Sequence, residues 1–412
     1  MSERIAYAHT CGNVNLFLDQ LDGHGMGGHW NRLWLFYLCK RLGLGIDIVT
    51  PVDKFTERNA DGIRKELNND IELKPSQLDF SGYRALVLRL ATPNLQYEDR
   101  FLRVPSFVRV LDIIKYFSGP VIFIHGDPLL NFVFQPELIK GSLWEPYAKM
   151  FTSNDLFKNK QWYVLHQAQN GAEFVNSRYY ERAGVGRVSP DQIPRENFVF
   201  YPYNFEEQVL PRSGLFKEVF LTKRGRIWDT VYVGRDKPVR VSLLKRYFNN
   251  PDARTAIVGK WSKESLSALP TRPQYLGAIP PTEVIRVKAK SWFQLATGEP
   301  GARDLGWIYL QRHEGYASGS ILLTHRDHYG AENIVADPSL VFSTPEEFWM
   351  KGYTSMSRWA EYSFIQAERL YQTRKAANLY GEKLIRRVLN GKGMAGMDTS
   401  GLFPRPDLVL HH

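Results

Sequence analysis

The sequence predicts an α/β chain built from two successive βαβ halves and closed by C-terminal helices. Three observations carry that expectation. Short apolar runs alternate with amphipathic stretches from Ile5 onward. The alternation lapses near Leu210 and restarts at Val231. Everything from Trp349 to Leu389 reads as helix. A chain of 412 residues is also too long for one comfortable core. Domains over 1–210 and 211–375 are therefore expected, with a C-terminal helix and tail over 376–412.

Taken in order, Ile5 to Ala8 begins the first strand. A glycine-rich loop, Asp22 to His29, leads into a helix over Trp30 to Leu42, where Leu33, Phe36 and Tyr37 recur at helical spacing. Gly43 and Gly45 end that helix, and Ile46 to Val49 is the second strand. Lys54 to Phe80 is polar and mixed in charge, a surface excursion. Tyr83 to Leu90 and Val121 to Ile124 are strands, with a short amphipathic helix over Val108 to Phe117 between them. Tyr147 to Phe157 and Trp162 to His166 continue the alternation less clearly. Glu173 to Ser177 reads as a strand whose serine caps a helix over Arg178 to Ala183. Phe198 to Asn204 closes the half, and the proline-punctuated segment Phe205 to Pro211 crosses to the next.

Val231 to Val233 opens the second half, followed by a helix over Val241 to Phe248 and a strand over Thr255 to Trp261. Gln274 to Gly277 is a brief strand, and Pro280 and Pro281 begin a helix or turn. A short polar helix starting at His313 is separated by Gly319 from a buried strand, Ser320 to Leu323. Leu340 to Phe342 is the last strand. Ser343-Thr-Pro-Glu-Glu347 is a strong helix start, with a capping hydroxyl, an early proline and acids in the first turn. The tail from Asn390, with Gly391, Gly393 and Gly396, reads as an extended or loose terminus.

Composition narrows the class. Hydrophobic residues make up 43% and aromatics 13%, ample for burial and against disorder. No apolar run approaches bilayer length and the N-terminus lacks a signal-peptide layout, so a cytoplasmic protein without a membrane partner is expected. Cys11 and Cys39 read as reduced thiols, and no metal site is expected. The net charge of +10 and pI near 9.3 favour polyanions as partners, although many basic proteins bind no nucleic acid.

Three stretches carry chemistry. Asp229 to Arg240 is an apolar run that meets a glycine and then a cationic loop. Arg235 and Arg240 offer planar forks for phosphate oxygens, Lys237 a mobile point charge, and Gly234 a close backbone approach. The alternative is an ordinary solvated turn. Gly27 and Gly28 precede a helix whose bare amides could receive an anion or sugar hydroxyl, or they serve only the turn. His125 and Asp127 stand at the carboxyl end of a buried strand, where ligands bind in open α/β sheets; they could orient a hydroxyl and take its proton, or form an Asp-Pro turn.

This order of elements resembles the GT-B nucleotide-sugar glycosyltransferases: two Rossmann-like domains facing across a cleft, with C-terminal helices. Val233-Gly-Arg-Asp-Lys237 has the form of the family's strand, Gly-Arg and nearby Lys, which implies that Arg235, Lys237 and Arg240 hold the donor diphosphate. Glu314, followed by Gly319 and an apolar strand, fits the second acid of the family's Glu-x7-Glu motif, which holds the donor ribose. The first acid falls at Gly306 and is absent, with Asp304 nearby. Within the family the layout is most similar to the DNA α-glucosyltransferases of T-even phages, through Ile124-His-Gly-Asp127, Tyr203-Asn-Phe205 and Tyr309-Leu-Gln-Arg312.

The resemblance implies transfer of a hexose, glucose in the nearest case, from a UDP-sugar to a hydroxymethyl pyrimidine in double-stranded DNA, with retention and without an essential metal or cofactor. His125 and Asp127 would position the acceptor hydroxyl, and Gly27 and Gly28 would add amides to the donor site. Arg178, Arg182, Lys223, Arg224 and Arg226 are candidate DNA-facing cations, each with an ordinary solvated surface charge as the alternative, and the protein would work as a monomer in the cytoplasm, that of the host if it is viral. A glycan or small-molecule acceptor, or a non-catalytic basic DNA-binding protein on the same scaffold, stand as alternatives.

Overall fold

In the computed structural model the described residues are 3–9, 26–49, 71–74, 80–89, 117–124, 160–171, 195–201, 225–279, 281–296, 298, 300–308, 310–398 and 402. The chain divides into two compact units. One holds a seven-stranded sheet of order β3-β2-β1-β4-β5-β6-β7, the other a six-stranded sheet of order β10-β9-β8-β11-β12-β13. Every strand pair in both is parallel.

The first sheet comprises β1 (Arg4–His9), β2 (Gly45–Val49), β3 (Ile71–Lys74), β4 (Tyr83–Arg89), β5 (Val121–Ile124), β6 (Trp162–His166) and β7 (Phe198–Phe200). Strands covered on both faces read as continuous apolar runs, as Val121 to Ile124 does with all four residues buried. β3 falls inside the segment expected to be a surface excursion, and only its pairing with β2 defines it. Asp47, buried in β2, is matched by Arg4 of β1, whose Nε donates at 3.1 Å, and by the Tyr83 hydroxyl of β4 at 2.7 Å.

The helix after β1, α1 (Met26–Leu42), buries every residue from Trp34 to Cys39 instead of one stripe. The reason is that it has neighbours on two sides. Phe36 meets Tyr7 of β1 edge-on at 5.8 Å, while Trp34 packs on Tyr201 at 4.7 Å, and Tyr201 in turn on Tyr380 of the final long helix. Leu38 and Tyr201 both press on Gly381, where a side chain would collide. Burial pushes the Cys39 thiol up to about 12, against the opposing pull of Arg41. Gly43, at φ +67, terminates α1 in the left-handed conformation, and Leu44 N–H returns to Cys39 O at 2.9 Å.

The second sheet comprises β8 (Trp228–Val233), β9 (Thr255–Val258), β10 (Gln274–Tyr275), β11 (Ser291–Leu295), β12 (Ile321–His325) and β13 (Val341–Phe342). Its helices are α2 (Pro238–Tyr247), α3 (Lys263–Ser267), α4 (Pro281–Lys288), α5 (Pro300–Asp304), α6 (Leu310–Ser318), α7 (Pro345–Ser357) and α8 (Trp359–Leu389). The sequence reading has no strand at β11, yet β11 sits at the centre of the sheet between β8 and β12. Its Ser291 and Gln294 disguise it. Both are buried, the serine hydroxyl 3.0 Å from that of Ser320 and the glutamine amide donating to Ser318 at 3.3 Å.

The long C-terminal helix is two helices. α7 starts as expected, with the N-cap Thr344 accepting from Glu347 N–H at 3.2 Å, while the Glu347 carboxylate reaches one residue further back and accepts from Ser343 N–H at 2.7 Å. It stops at Ser357, and α8 starts at Trp359, its residues to Ala377 counted with the second unit and those from Asn378 with the first. The tail is also tighter than expected. Gly391 O accepts from Gln161 at 2.9 Å, Lys392 O from the Tyr163 hydroxyl at 3.0 Å, and Met394 is buried.

Candidate functional site

The chain runs outward from β8 to β10 and then resumes on the other side of β8 with β11, so the strand order reverses between β8 and β11. Beyond the carboxyl ends of strands at such a reversal, loops diverge and leave room for a ligand. Gly234 to Lys237 is the loop that β8 delivers there, and the segment around Ala296 is that of β11.

The β8 loop is held by its backbone. Gly234 N–H donates to Val258 O at 2.9 Å, Gly234 O accepts from the Trp261 indole at 2.7 Å, and Asp236 N–H donates to Lys260 O at 3.3 Å. Asp236 accepts from Ser262 N–H at 2.8 Å; burial opposes its ionisation, but the hydrogen bonds from Ser262 and Ser265 outweigh that and hold its carboxyl below the usual range. The single acid of the loop is thus turned toward α3.

Lys237 is the N-cap of α2 and gives it no side-chain cap, Pro238 follows, and the first turn contains no acid. Helix N-termini carry partial positive charge and unpaired N–H groups, so acids are normally favoured there. Here Arg235, exposed, and Lys237 and Arg240, half-buried, gather at that end instead. The arrangement accumulates like charge and suits an anionic ligand.

Glu314 belongs to the same corner through α6. The Gln311 amide donates to Val233 O, the last carbonyl of β8, at 2.8 Å, and Glu314 follows Gln311 by three residues, on the same helix face. Its carboxylate is largely buried, 2.7 Å from the Lys288 ammonium, which also donates to Gln311 O at 3.1 Å. Gln311 lies in the Tyr309-Leu-Gln-Arg312 stretch quoted for the resemblance but has no role of its own there, and sequence reasoning passed over Lys288. Gly319 ends α6 at φ +65 and its carbonyl accepts from the Trp359 indole at 2.8 Å, a structural duty in this structure. Gly306 takes φ +59, a conformation that suits glycine and disfavours the acid expected there, and Asp304 is exposed at the end of α5.

Arg226, expected to face DNA, is buried instead. Its guanidinium donates to the carbonyls of Ser291 and Gly319, the latter at 3.1 Å, and lies 4.5 Å from the Trp359 ring. Burial lowers it to about 10. A guanidinium so enclosed joins β11 to the end of α6 and is not presented to a polyanion. Gly27 and Gly28 lie in the first turn of α1 and not in the loop before it. His125, Asp127, Arg178, Arg182, Lys223 and Arg224 lie outside the described residues.

No protein-family model matches the sequence, and no curated protein matches it either. Solved structures do match in shape. The β-glucosyltransferase of T4 phage with UDP-glucose is similar at TM-score 0.62 and 16% identity, over 94% of this chain and 99% of that one. The chain has the GT-B fold. Other structures that share this GT-B fold include the T4 β-glucosyltransferase with UDP and Mn2+, at TM-score 0.61 and 15% identity over 94% and 99% of the two chains. An α-glucosyltransferase in complex with UDP and a 13-mer DNA containing an HMU base follows at TM-score 0.53 and 10% identity, over 95% and 100%. Among the described residues of this GT-B chain no group of three or more His, Cys, Asp or Glu could hold a metal ion, and no helix is long and apolar enough to cross a membrane.

Proposed function

We propose that the chain is a glycosyltransferase that moves glucose from UDP-glucose to a hydroxymethyl pyrimidine in double-stranded DNA, with retention of configuration. The observation that carries this reading is the gathering of Arg235, Lys237 and Arg240 at the uncapped start of α2, at the strand-order reversal of a GT-B sheet. The leaving diphosphate gains negative charge as the glycosidic bond breaks, so these cations favour the transition state over the ground state. Glu314 accepts the ribose hydroxyls as an acceptor-only carboxylate, with Lys288 as its counter-charge. His125 and Asp127 position the acceptor hydroxyl and receive its proton. The amides that begin α1, around Gly27 and Gly28, add to the donor site. Arg178, Arg182, Lys223 and Arg224 meet backbone phosphates, in keeping with the +10 net charge. The acceptor base is extruded from the duplex to be reached. Three cations at the diphosphate supply the charge neutralisation that a divalent ion could otherwise provide, so turnover is expected to persist in EDTA.

Transfer of labelled glucose to hydroxymethylated DNA, with unmodified DNA as the control, tests the reading directly. Arg235→Ala and Lys237→Ala should each lower kcat by roughly 10²–10³, and an α-linked product would establish retention. Absence of incorporation from every common nucleotide sugar would sink the proposal. The glycine at 306 favours one second reading, a DNA-binding protein that has lost sugar transfer. Under that reading DNA binding survives loss of Arg235 and Lys237, and no nucleotide sugar raises the melting temperature.

A further inference from the structure

A second group of cations in the same unit, buried except for Arg303, plays no part in the reading above. Successive residues of a helix point about 100° apart, so Arg312 leaves α6 on a different face from Gln311 and Glu314. It is 3% exposed, its guanidinium lies 5.5 Å from the Tyr316 ring, and none of its three nitrogens has a hydrogen-bond acceptor among the described residues. His328, also 3% exposed, has neither ring nitrogen hydrogen-bonded.

Arg303 and Arg369 complete the group. Arg303 O accepts from the N–H of Tyr329, the residue after His328, at 2.8 Å, and the Arg303 Nε has no acceptor. Arg369 of α8 spends its terminal nitrogens on the carbonyls of Val335 and Ala336. Neither neighbouring acid is paired with Arg312: Asp327 is mostly exposed and 3.6 Å from Arg303, while Asp337 caps Ser339 and faces Arg358 at 4.0 Å. The charges feel one another. Burial, then Arg312 and Arg303, push His328 down to about 3, and burial together with Arg369 lowers Arg312.

A buried histidine escapes this cost by staying neutral, but an arginine keeps its proton in proteins. A buried cation without a counter-charge is among the most expensive features a fold can carry. Three guanidinium nitrogens and the single N–H of a neutral imidazole call for an acceptor with several oxygens, which a chloride ion does not offer. We propose that Arg312, with His328 and Arg303, binds a phosphoryl-type oxyanion inside the second unit, at a site separate from the Arg235 loop. The site rests on side chains outside the Arg235 loop, with Arg312 and His328 buried and Arg303 partly so, and holds whether or not the chain transfers sugar.

Thermal melting of the full chain in inorganic phosphate, at ionic strength fixed with sodium chloride, tests it. Phosphate should raise the midpoint saturably in the unaltered protein and in Arg235→Ala/Lys237→Ala, and should lose that effect in Arg312→Met. His328→Asn, a milder change, should weaken the apparent phosphate affinity about tenfold, the loss of one charge-assisted hydrogen bond. A UDP arm separates the two sources of the group. If Arg312→Met abolishes the phosphate response alone, the occupant is a free oxyanion; if it abolishes the UDP response as well, the occupant is a nucleotide phosphoryl group. No saturable response in the unaltered protein, an equal response in Arg312→Met, or a response lost only with Arg235 and Lys237 would overturn the proposal.

Discussion

Gly259 backs directly onto the carbonyl of Gly234: a Cβ on Gly259 would stand 2.0 Å from Gly234 O. Gly259 also holds φ +129, a region that L side chains rarely adopt. The turn after β9 is therefore the floor on which the Arg235 loop rests. Gly259→Ala should cost about 2 kcal/mol or more in stability and displace that loop. Urea denaturation gives the first quantity, and UDP-induced shifts in melting temperature should shrink in the same variant. An alanine that melts and binds like the parent would show that the loop is held by other contacts.

Lys288 and Glu314 form a buried ion pair in the second unit, the lysine side chain 3% exposed and the glutamate 11%. Removing one partner of such a pair leaves the other desolvated, at a cost of about 3 kcal/mol. Lys288→Met should show that loss by denaturation. The double variant Lys288→Met/Glu314→Gln should recover most of the stability. UDP binding should stay weak in the double variant if Glu314 holds the ribose, which separates the role of the pair in stability from its role in binding.

Arg226→Met should destabilise by about 3 kcal/mol, since it strips two carbonyls of a donor and the Trp359 ring of a cation. DNA affinity and its salt dependence, measured below the melting transition, should be unchanged. A lower salt slope in this variant would return Arg226 to the DNA-facing set.

Acid should destabilise the second unit before carboxylates titrate. His328 is held near 3 by burial, Arg312 and Arg303, and His313 is driven well below 6.5 by burial and Arg312. Below about pH 6.5 the unfolded chain binds these protons and the folded chain does not, so stability falls as pH falls, by about 1.4 kcal/mol per pH unit for each group. The loss continues to about pH 3 for His328. Urea midpoints of the parent and of His328→Gln in phosphate-free buffer should diverge in slope below pH 6.5 and run parallel above it.

Much of this architecture was legible because both sheets are parallel and covered on both faces, so β5, the Val231 to Val233 part of β8 and the Ile321 to Leu323 part of β12 appear as apolar runs. The cationic loop was legible too, since a glycine between a strand and three cations is a local pattern. What escaped was set by tertiary partners. β11 hides behind Ser291 and Gln294, which are tolerable in a core only because Ser320 and Ser318 meet them. β3 is a strand only through its pairing with β2. Arg226 looks like any surface arginine until two tryptophans enclose it. Lys288 is separated from Glu314 by 26 residues, and no spacing rule connects them.

The fully buried thiol of Cys39 turns the native protein into its own stopwatch. A thiolate is the reactive species, and a thiol raised to about 12 and buried in the last turn of α1 is silent to alkylating reagents while the helix stays packed. Labelling at Cys39 therefore advances only through openings of the first unit. Followed by peptide mass against time and denaturant, it would clock how often that unit opens without perturbing a single residue of it.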